Sequence, residues 1–276
     1  LVGSEMCIRD RYIAAQDQNG KVYMFARSSG NPLWTAEVGT GGNGCHPVSI
    51  SSDGEYIIAG GEGTNSLNLF QKSSNMPKWS YNKGDWVLTT TISADGEHMA
   101  AGDFSGKIYL FQRSSTTPKW SYPTDHDIYT IAISQDGEYI AAGGYDGTVY
   151  LFRQADNAPI WRFKTGGPVY SVSISSDGEY VAAGGMDGYV YYFSREKDTP
   201  IWSYKTSGRI GSISISPDGS YLVASNYERK IYLFDERMSA QRNLTTLTII
   251  PSSVELDAKS TTHLTMTLTS QGKPVK

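Results

Sequence analysis

Short runs of alternating apolar and polar residues extend from residue 12 to residue 235 and are separated by turns rich in Gly and Asp-Gly. One unit contains Val-Tyr-Ser-Val-Ser-Ile-Ser at 169–175, Tyr-Val-Ala-Ala-Gly-Gly at 180–185, Tyr-Val-Tyr-Tyr-Phe-Ser at 189–194 and a last segment around Trp202. Alternation with β-branched and aromatic residues is typical of strands, and Asp-Gly favours the tight turn between antiparallel strands. Each unit is therefore predicted to be a four-stranded antiparallel meander.

The unit recurs at a nearly constant step. Asp-Gly pairs begin at residues 53, 95, 136, 177 and 218, and the successive steps are 42, 41, 41 and 41 residues. Four-stranded units repeated at this length are typical of β-propeller blades. Small residues such as Ala132 and Ser173 occupy the first strands, as expected where blades converge on the propeller axis. The predicted fold is all-β, a β-propeller of about six blades over residues 11–240 that belongs to a ring of six to eight.

Two segments resemble known propeller families. Residues 169–188, Val-Tyr-Ser-Val-Ser-Ile-Ser-Ser-Asp-Gly-Glu-Tyr-Val-Ala-Ala-Gly-Gly-Met-Asp-Gly, resemble a WD40 repeat, and residues 17–34 resemble a quinoprotein-like (PQQ-like) blade. The resemblance implies the propeller fold. It implies little about function, because the Trp-Asp and Gly-His of WD40 repeats are absent and their hydrogen-bonded tetrad cannot be carried over.

Both ends of the chain depart from the repeat. Residues 1–10 resemble a translated sequencing adaptor, so the native start is expected upstream, together with any signal peptide. Residues 243–276 alternate Thr with apolar residues and resemble the start of a bacterial immunoglobulin-like (Big or invasin-type) domain, a partial β-sandwich. That resemblance implies a secreted or cell-surface protein. In the alternative interpretation, residues 244–250 form the outer strand of the last blade.

Composition excludes several classes of protein. The 24 basic and 28 acidic residues give a net charge of −4, which argues against a nucleic-acid partner bound by bulk electrostatics. No apolar run is long enough for a membrane helix, so no membrane span is expected in this sequence. The two cysteines and four histidines show no metal-ligand spacing, and neither a metal nor a cofactor is predicted.

Loops that differ between blades are the candidate binding site. The connections between strands four and one and between strands two and three should emerge on the same face, around the central channel. An aromatic and polar set there has the character of a recognition surface. The predicted binding residues are Trp86, Asp85, His46, His126, Asp127, Tyr145, Arg209 and Tyr227. In the alternative interpretation these are ordinary solvated loops, with Trp86 covered by a neighbour.

Catalysis is not predicted. The repeated Ser-x-Asp-Gly is interpreted as a turn, and no nucleophile motif such as Gly-x-Ser-x-Gly is present. The sequence therefore predicts a non-enzymatic binding or scaffold propeller that presents its loops to a protein, peptide or glycan. A quinone- or metal-dependent propeller enzyme is the first alternative, and an intracellular assembly hub is the second.

Overall fold

The chain folds as a β-propeller of about six blades, each built on an antiparallel four-stranded sheet. The computed structural model describes residues 5–9, 11–39, 47–61, 65–82, 85–235, 245–248, 269–270 and 273–274, with side chains at 11–39, 47–61, 65–82 and 85–235. In that part of the chain no helix is long and apolar enough to cross a membrane. The all-β propeller prediction is confirmed.

The blades are numbered in chain order, and consecutive strands pair within each. Blade 1 comprises β1 Glu5–Arg9, β2 Tyr12–Gln16, β3 Lys21–Ala26 and β4 Pro32–Glu37. Blade 2 comprises β5 Val48–Ile50, β6 Tyr56–Gly60, β7 Ser66–Gln71 and β8 Pro77–Asn82. Blade 3 comprises β9 Val87–Ile92, β10 His98–Asp103, β11 Lys107–Gln112 and β12 Trp120–Pro123. Blade 4 comprises β13 Ile128–Ile133, β14 Tyr139–Gly144, β15 Thr148–Arg153 and β16 Pro159–Lys164. Blade 5 comprises β17 Val169–Ile174, β18 Tyr180–Gly185, β19 Tyr189–Ser194 and β20 Trp202–Lys205. Blade 6 comprises β21 Ile210–Ile215, β22 Tyr221–Asn226, β23 Lys230–Asp235 and β24 Thr245–Thr248, and its sheet continues into β25 Thr269–Ser270 and β26 Lys273–Pro274.

The Ser-x-Asp-Gly sequence forms the turn between the first and second strands. In blade 5, Oδ1 of Asp177 accepts hydrogen bonds from the Ser175 hydroxyl at 2.7 Å and from the Glu179 N–H at 3.0 Å. Gly178 has a φ of +69°, and a Cβ there would collide with Cδ2 of Tyr139 in the preceding blade. Glycine is therefore required both by the backbone conformation and by the close packing of the neighbouring ring.

The hydrophobic core lies between neighbouring blades. Between blades 4 and 5, Val149 and Leu151 of β15 pack with Val172, Val181 and Phe193 in one buried cluster. Similar clusters join blades 1 and 2, 2 and 3, 3 and 4, and 5 and 6. Each blade is therefore stabilised mainly by packing against its neighbours in the series, as in other repeat folds.

The remaining sequence predictions concern the two ends of the chain. Glu5–Arg9 pairs with Tyr12–Gln16 as the first strand of blade 1, and the adaptor interpretation of residues 1–10 stays a prediction. Thr245–Thr248 pairs with β23 as the outer strand of blade 6, in agreement with the alternative interpretation of that segment. Most of residues 243–276 lie outside the described residues, and the immunoglobulin-like domain also stays a prediction.

Candidate functional site

The two kinds of loop predicted to share a face are joined by backbone hydrogen bonds. In blades 3 to 6, the first residue of the second-to-third-strand turn donates its N–H to a carbonyl of the preceding fourth-to-first-strand connection. The four bonds are Phe104 to Trp86 at 3.0 Å, Tyr145 to Asp127 at 2.9 Å, Met186 to Pro168 at 2.8 Å and Tyr227 to Arg209 at 3.0 Å. Five of the predicted residues, Trp86, Asp127, Tyr145, Arg209 and Tyr227, therefore lie on one face of the propeller in three such pairs.

The same turn position holds a large, exposed apolar side chain in four successive blades. The exposed fractions are 48% for Phe104, 54% for Tyr145, 50% for Met186 and 65% for Tyr227. Single exposed apolar residues are common, but a set at one repeated position on one face marks an interaction surface. Four blades therefore contribute to one apolar face.

Aromatic rings extend this face toward the first strands. The ring of Trp86, which is 40% exposed, lies 5.3 Å from that of Phe104. Tyr145 meets the edge of Tyr129 at 6.1 Å, and Tyr129 lies 6.1 Å from Tyr170 in the next blade. We call Trp86, Phe104, Tyr129, Tyr145, Tyr170 and Tyr227 the aromatic rim.

Two cationic or polar side chains accompany the rim. The guanidinium of the exposed residue Arg209 lies 5.0 Å from the centre of the Tyr227 ring, in a cation–π arrangement. The exposed His126 ring meets the edge of Tyr145 at 5.7 Å. Both combine a hydrogen-bonding group with an aromatic face, as binding sites for polar ligands with apolar faces require.

The remaining predicted residues contribute differently. The Asp85 carboxylate accepts a hydrogen bond from the N–H of Trp86 at 2.8 Å, so it shapes the loop that presents the indole. Asp127 is half-buried, and its carbonyl holds Tyr145. His46 lies outside the described residues.

Partly buried Asp–Tyr hydrogen bonds hold the turns that carry the rim in blades 4 and 5. In blade 4, the Tyr150 hydroxyl donates to Oδ2 of Asp146 at 2.6 Å, and the Thr148 N–H donates to Oδ1 at 2.9 Å. Burial, reinforced by the hydrogen bond to Asp146, raises the pKa of Tyr150 well above its usual value. The phenol therefore keeps its proton and its hydrogen bond to Asp146, which holds the turn beginning at Tyr145 against β15.

Four members of this surface were not among the predicted residues: Phe104, Tyr129, Tyr170 and Met186. Their signal was the repeat itself, since 129 and 170, like 104, 145, 186 and 227, are 41 residues apart. Tyr129 and Tyr170 resemble ordinary strand residues in the sequence. Their side chains join the rim because they lie at the start of first strands.

The side chains of the aromatic rim provide contacts for a ligand. Among the residues that the structure describes, no three His, Cys, Asp or Glu side chains come together as a metal-binding group. What the arrangement can do is bind: flat apolar rings pack against apolar ligand faces, while Arg209 and His126 form hydrogen bonds with polar groups.

Comparison with known families identifies a matching family model. The family model described as the lambda-carrageenase beta-propeller domain matches residues 98–236, about half of the chain, from β10 to just beyond β23. No curated protein matches the sequence. The match confirms the propeller part of the resemblance, whereas the WD40 and quinoprotein-like assignments stay predictions.

This match contradicts the prediction that the chain is not an enzyme, because the matching family is a domain of an enzyme, a lambda-carrageenase. The prediction relied on the absence of a local nucleophile motif. A propeller instead builds its sites from loops that are far apart in sequence, so a missing motif within one loop is no evidence against catalysis.

Proposed function

This chain belongs to the lambda-carrageenase beta-propeller domain family, and on that premise we propose that it is the propeller domain of a carbohydrate-active enzyme and binds polysaccharide along the aromatic rim. The observation that carries the proposal is the repeated turn position. Phe104, Tyr145, Met186 and Tyr227 are each about half exposed on one face of the propeller. The glycan is thus the partner we favour among those that the sequence left open.

Aromatic rings suit sugar ligands for a physical reason. One face of a pyranose ring carries C–H groups with partial positive charge, and the face of an aromatic ring is negative. Rings spaced from blade to blade contact successive sugar residues of an extended chain. Arg209 and His126 then supply hydrogen bonds to the groups at the sugar edges.

The turns that carry the aromatic rim are preorganised, because hydrogen bonds hold them in place before a ligand binds. Each of its turns is fixed by the hydrogen bond to the neighbouring loop and, in blades 4 and 5, by an Asp–Tyr bond beneath it. A rigid site loses little conformational entropy on binding. A domain that acts on an intact polysaccharide meets it outside the cell, so we propose an extracellular location.

The test is binding of lambda-carrageenan to the 276-residue chain, measured by affinity electrophoresis and calorimetry. The double variant Phe104→Ala/Tyr227→Ala should weaken binding by about 10-fold or more, the loss of roughly 1.4 kcal/mol that two stacking contacts supply. The matched control is Ile160→Ala/Ile201→Ala, which removes side chains that are 45% and 50% exposed on outer edges of blades 4 and 5.

Release of new reducing ends is measured on the same samples. Binding that the rim variant loses and the control keeps supports the proposal, and release of reducing ends would extend it to catalysis by this chain. Absence of binding, or equal binding by both double variants, would contradict the rim as the polysaccharide site.

A further inference from the structure

Blades 1 to 5 each pack against the next blade with side chains at the same three positions. In blade 5 these are Ala182, Val190 and Tyr192, which face blade 6 and are at most 2% exposed. They pack in one cluster with Ile210 and Ile213 of β21. The corresponding residues of blades 1 to 4 are also fully covered: Ala14, Val22, Met24; Ile58, Leu67, Leu69; Ala100, Ile108, Leu110; Ala141, Val149, Leu151.

Blade 6 has the same apolar face without the cover. The three positions hold Val223, Ile231 and Leu233, which share one face of the sheet by their strand register. Val223 is 40% exposed, and Ile231 and Leu233 are only half-buried. The side chains are therefore suited to a neighbouring blade, although within the described residues they are open to solvent.

Hydroxyl groups on the first strands identify what should cover this face. Ser171 Oγ accepts a hydrogen bond from the N–H of Ile213 at 3.0 Å, and Ser173 Oγ accepts one from Ile215 at 3.1 Å. Both donors lie on the first strand of the next blade. Ser212 and Ser214 hold the equivalent positions in blade 6 and are exposed.

Blade 1 shows the complementary opening on its other side. Its residues Ile13, Ala15 and Phe25 are half-buried. The equivalent residues of blade 2, Ile57, Ala59 and Phe70, are at most 1% exposed because blade 1 covers them. One face at each end of the series of blades is therefore left to be covered.

We propose that a further blade of the same repeat, supplied by a part of this protein outside the 276-residue sequence, packs between blade 6 and blade 1. A blade is the element that has both required faces. Its first strand would place Val or Ile side chains over Val223, Ile231 and Leu233, as Ile210 and Ile213 do on blade 5, and would donate backbone N–H groups to Ser212 and Ser214.

One bond of the repeat is missing at this interface. In blades 2 to 5 the residue before the turn aspartate donates its N–H to a carbonyl of the next blade, and the last of these bonds runs from Ser176 to Pro217 at 2.8 Å. Pro217 has no N–H to donate. The further blade therefore docks through the apolar face and the two serines, without this bond.

The test is the reactivity of a cysteine at position 223 with a maleimide, in a background in which Cys7 and Cys45 are replaced by serine. The variant Val223→Cys is compared with Ala182→Cys, the covered equivalent in blade 5, and with Met186→Cys, an exposed position. All are made both in the 276-residue chain and in the protein translated from the whole gene.

In the 276-residue chain we expect the Val223→Cys variant to react as fast as the Met186→Cys variant. In the whole-gene protein it should react as slowly as the Ala182→Cys variant, at least roughly 100-fold more slowly, because modification there requires local opening. Slow reaction in the 276-residue chain would overturn the proposal. The face would then be covered by another part of the same chain if dilution has no effect, and by a second copy if dilution speeds the reaction. Fast reaction in both proteins would also overturn it.

Discussion

The indole Nε1 of Trp161 lies 2.9 Å from the backbone carbonyl oxygen of Arg195 and donates a hydrogen bond to it across the boundary between blades 4 and 5. The ring also lies 5.1 Å from that of Phe193 in blade 5. The same bond joins three other pairs of blades, at Trp34 to Lys72, Trp79 to Arg113 and Trp120 to Gln154. The repeated tryptophan is therefore a joint between blades.

Two substitutions of Trp161 separate the contribution of the hydrogen bond from that of ring packing. Trp161→Phe keeps an aromatic ring but removes the hydrogen bond, and should lower the free energy of unfolding by about 1 kcal/mol. Trp161→Ala also leaves a cavity against Phe193 and should cost about 3–5 kcal/mol. Urea unfolding followed by fluorescence and circular dichroism measures both.

The control is Ile160→Ala, since Ile160 precedes Trp161 and is 45% exposed; its effect should stay within about 0.5 kcal/mol. Equal losses for Trp161→Phe and Trp161→Ala would mean that the hydrogen bond, and not the packing, carries the effect.

The turn glycine gives a second stability prediction. Gly178→Ala forces a side chain into a φ of +69° and against the ring of Tyr139, and should cost about 2 kcal/mol or more. Gly30→Ala is the control, because no heavy atom lies within 4 Å of the position its Cβ would take. If the two variants unfold at the same urea concentration, the contact between this turn and the preceding blade is not required for stability.

These joints were predictable from the sequence because they are periodic and local. The Asp-Gly turn and the tryptophan recur in blade after blade, so their shared role follows from the repeat. The shared face of Arg209 and Tyr227 also followed from loop order. Their ring contact did not, because it depends on the side-chain conformations of two loops that are separated by a hairpin.

Tyr129 and Tyr170 show the other limit. Within a strand they alternate like any half-buried residue, and whether a side chain there reaches the rim depends on how neighbouring blades are rotated. Catalytic potential was misjudged for a related reason, since a site assembled from several blades leaves no motif in any one of them.

Three turn aspartates, Asp95, Asp177 and Asp218, have a lowered pKa and should make stability depend on pH in acid. The hydrogen bond from the Glu179 N–H, followed by that from Ser175, lowers the pKa of Asp177 below its usual value of 3.8. A lowered pKa in the folded state means stabilisation that is complete above pH 3.8 and is lost as the pH falls through the folded-state value. The melting temperature should therefore drop steeply below about pH 4.

The variant Asp177→Asn lacks the carboxylate and should therefore lose the contribution of Asp177 to the pH dependence of stability. The decrease in melting temperature between pH 5 and pH 3 should be smaller for this variant than for the unmodified chain. Asp198→Asn, at an exposed position in the loop before β20, controls for the loss of one charge. A steeper acid dependence in Asp177→Asn than in the control would contradict the assignment.

Tyr145 gives the sharpest single-residue test of the rim. It is 54% exposed, meets Tyr129 and His126, and lies within the residues that the family model matches. If stacking carries the affinity for lambda-carrageenan, Tyr145→Ala should weaken binding by roughly 5- to 10-fold, about 1 kcal/mol or slightly more, whereas Tyr145→Phe should bind nearly as the unmodified chain does. Because the side chain is exposed, neither variant should change the urea midpoint. Calorimetric titration reports the affinity, and an equal loss in both variants would instead assign the contribution to the Tyr145 hydroxyl as a hydrogen-bonding group.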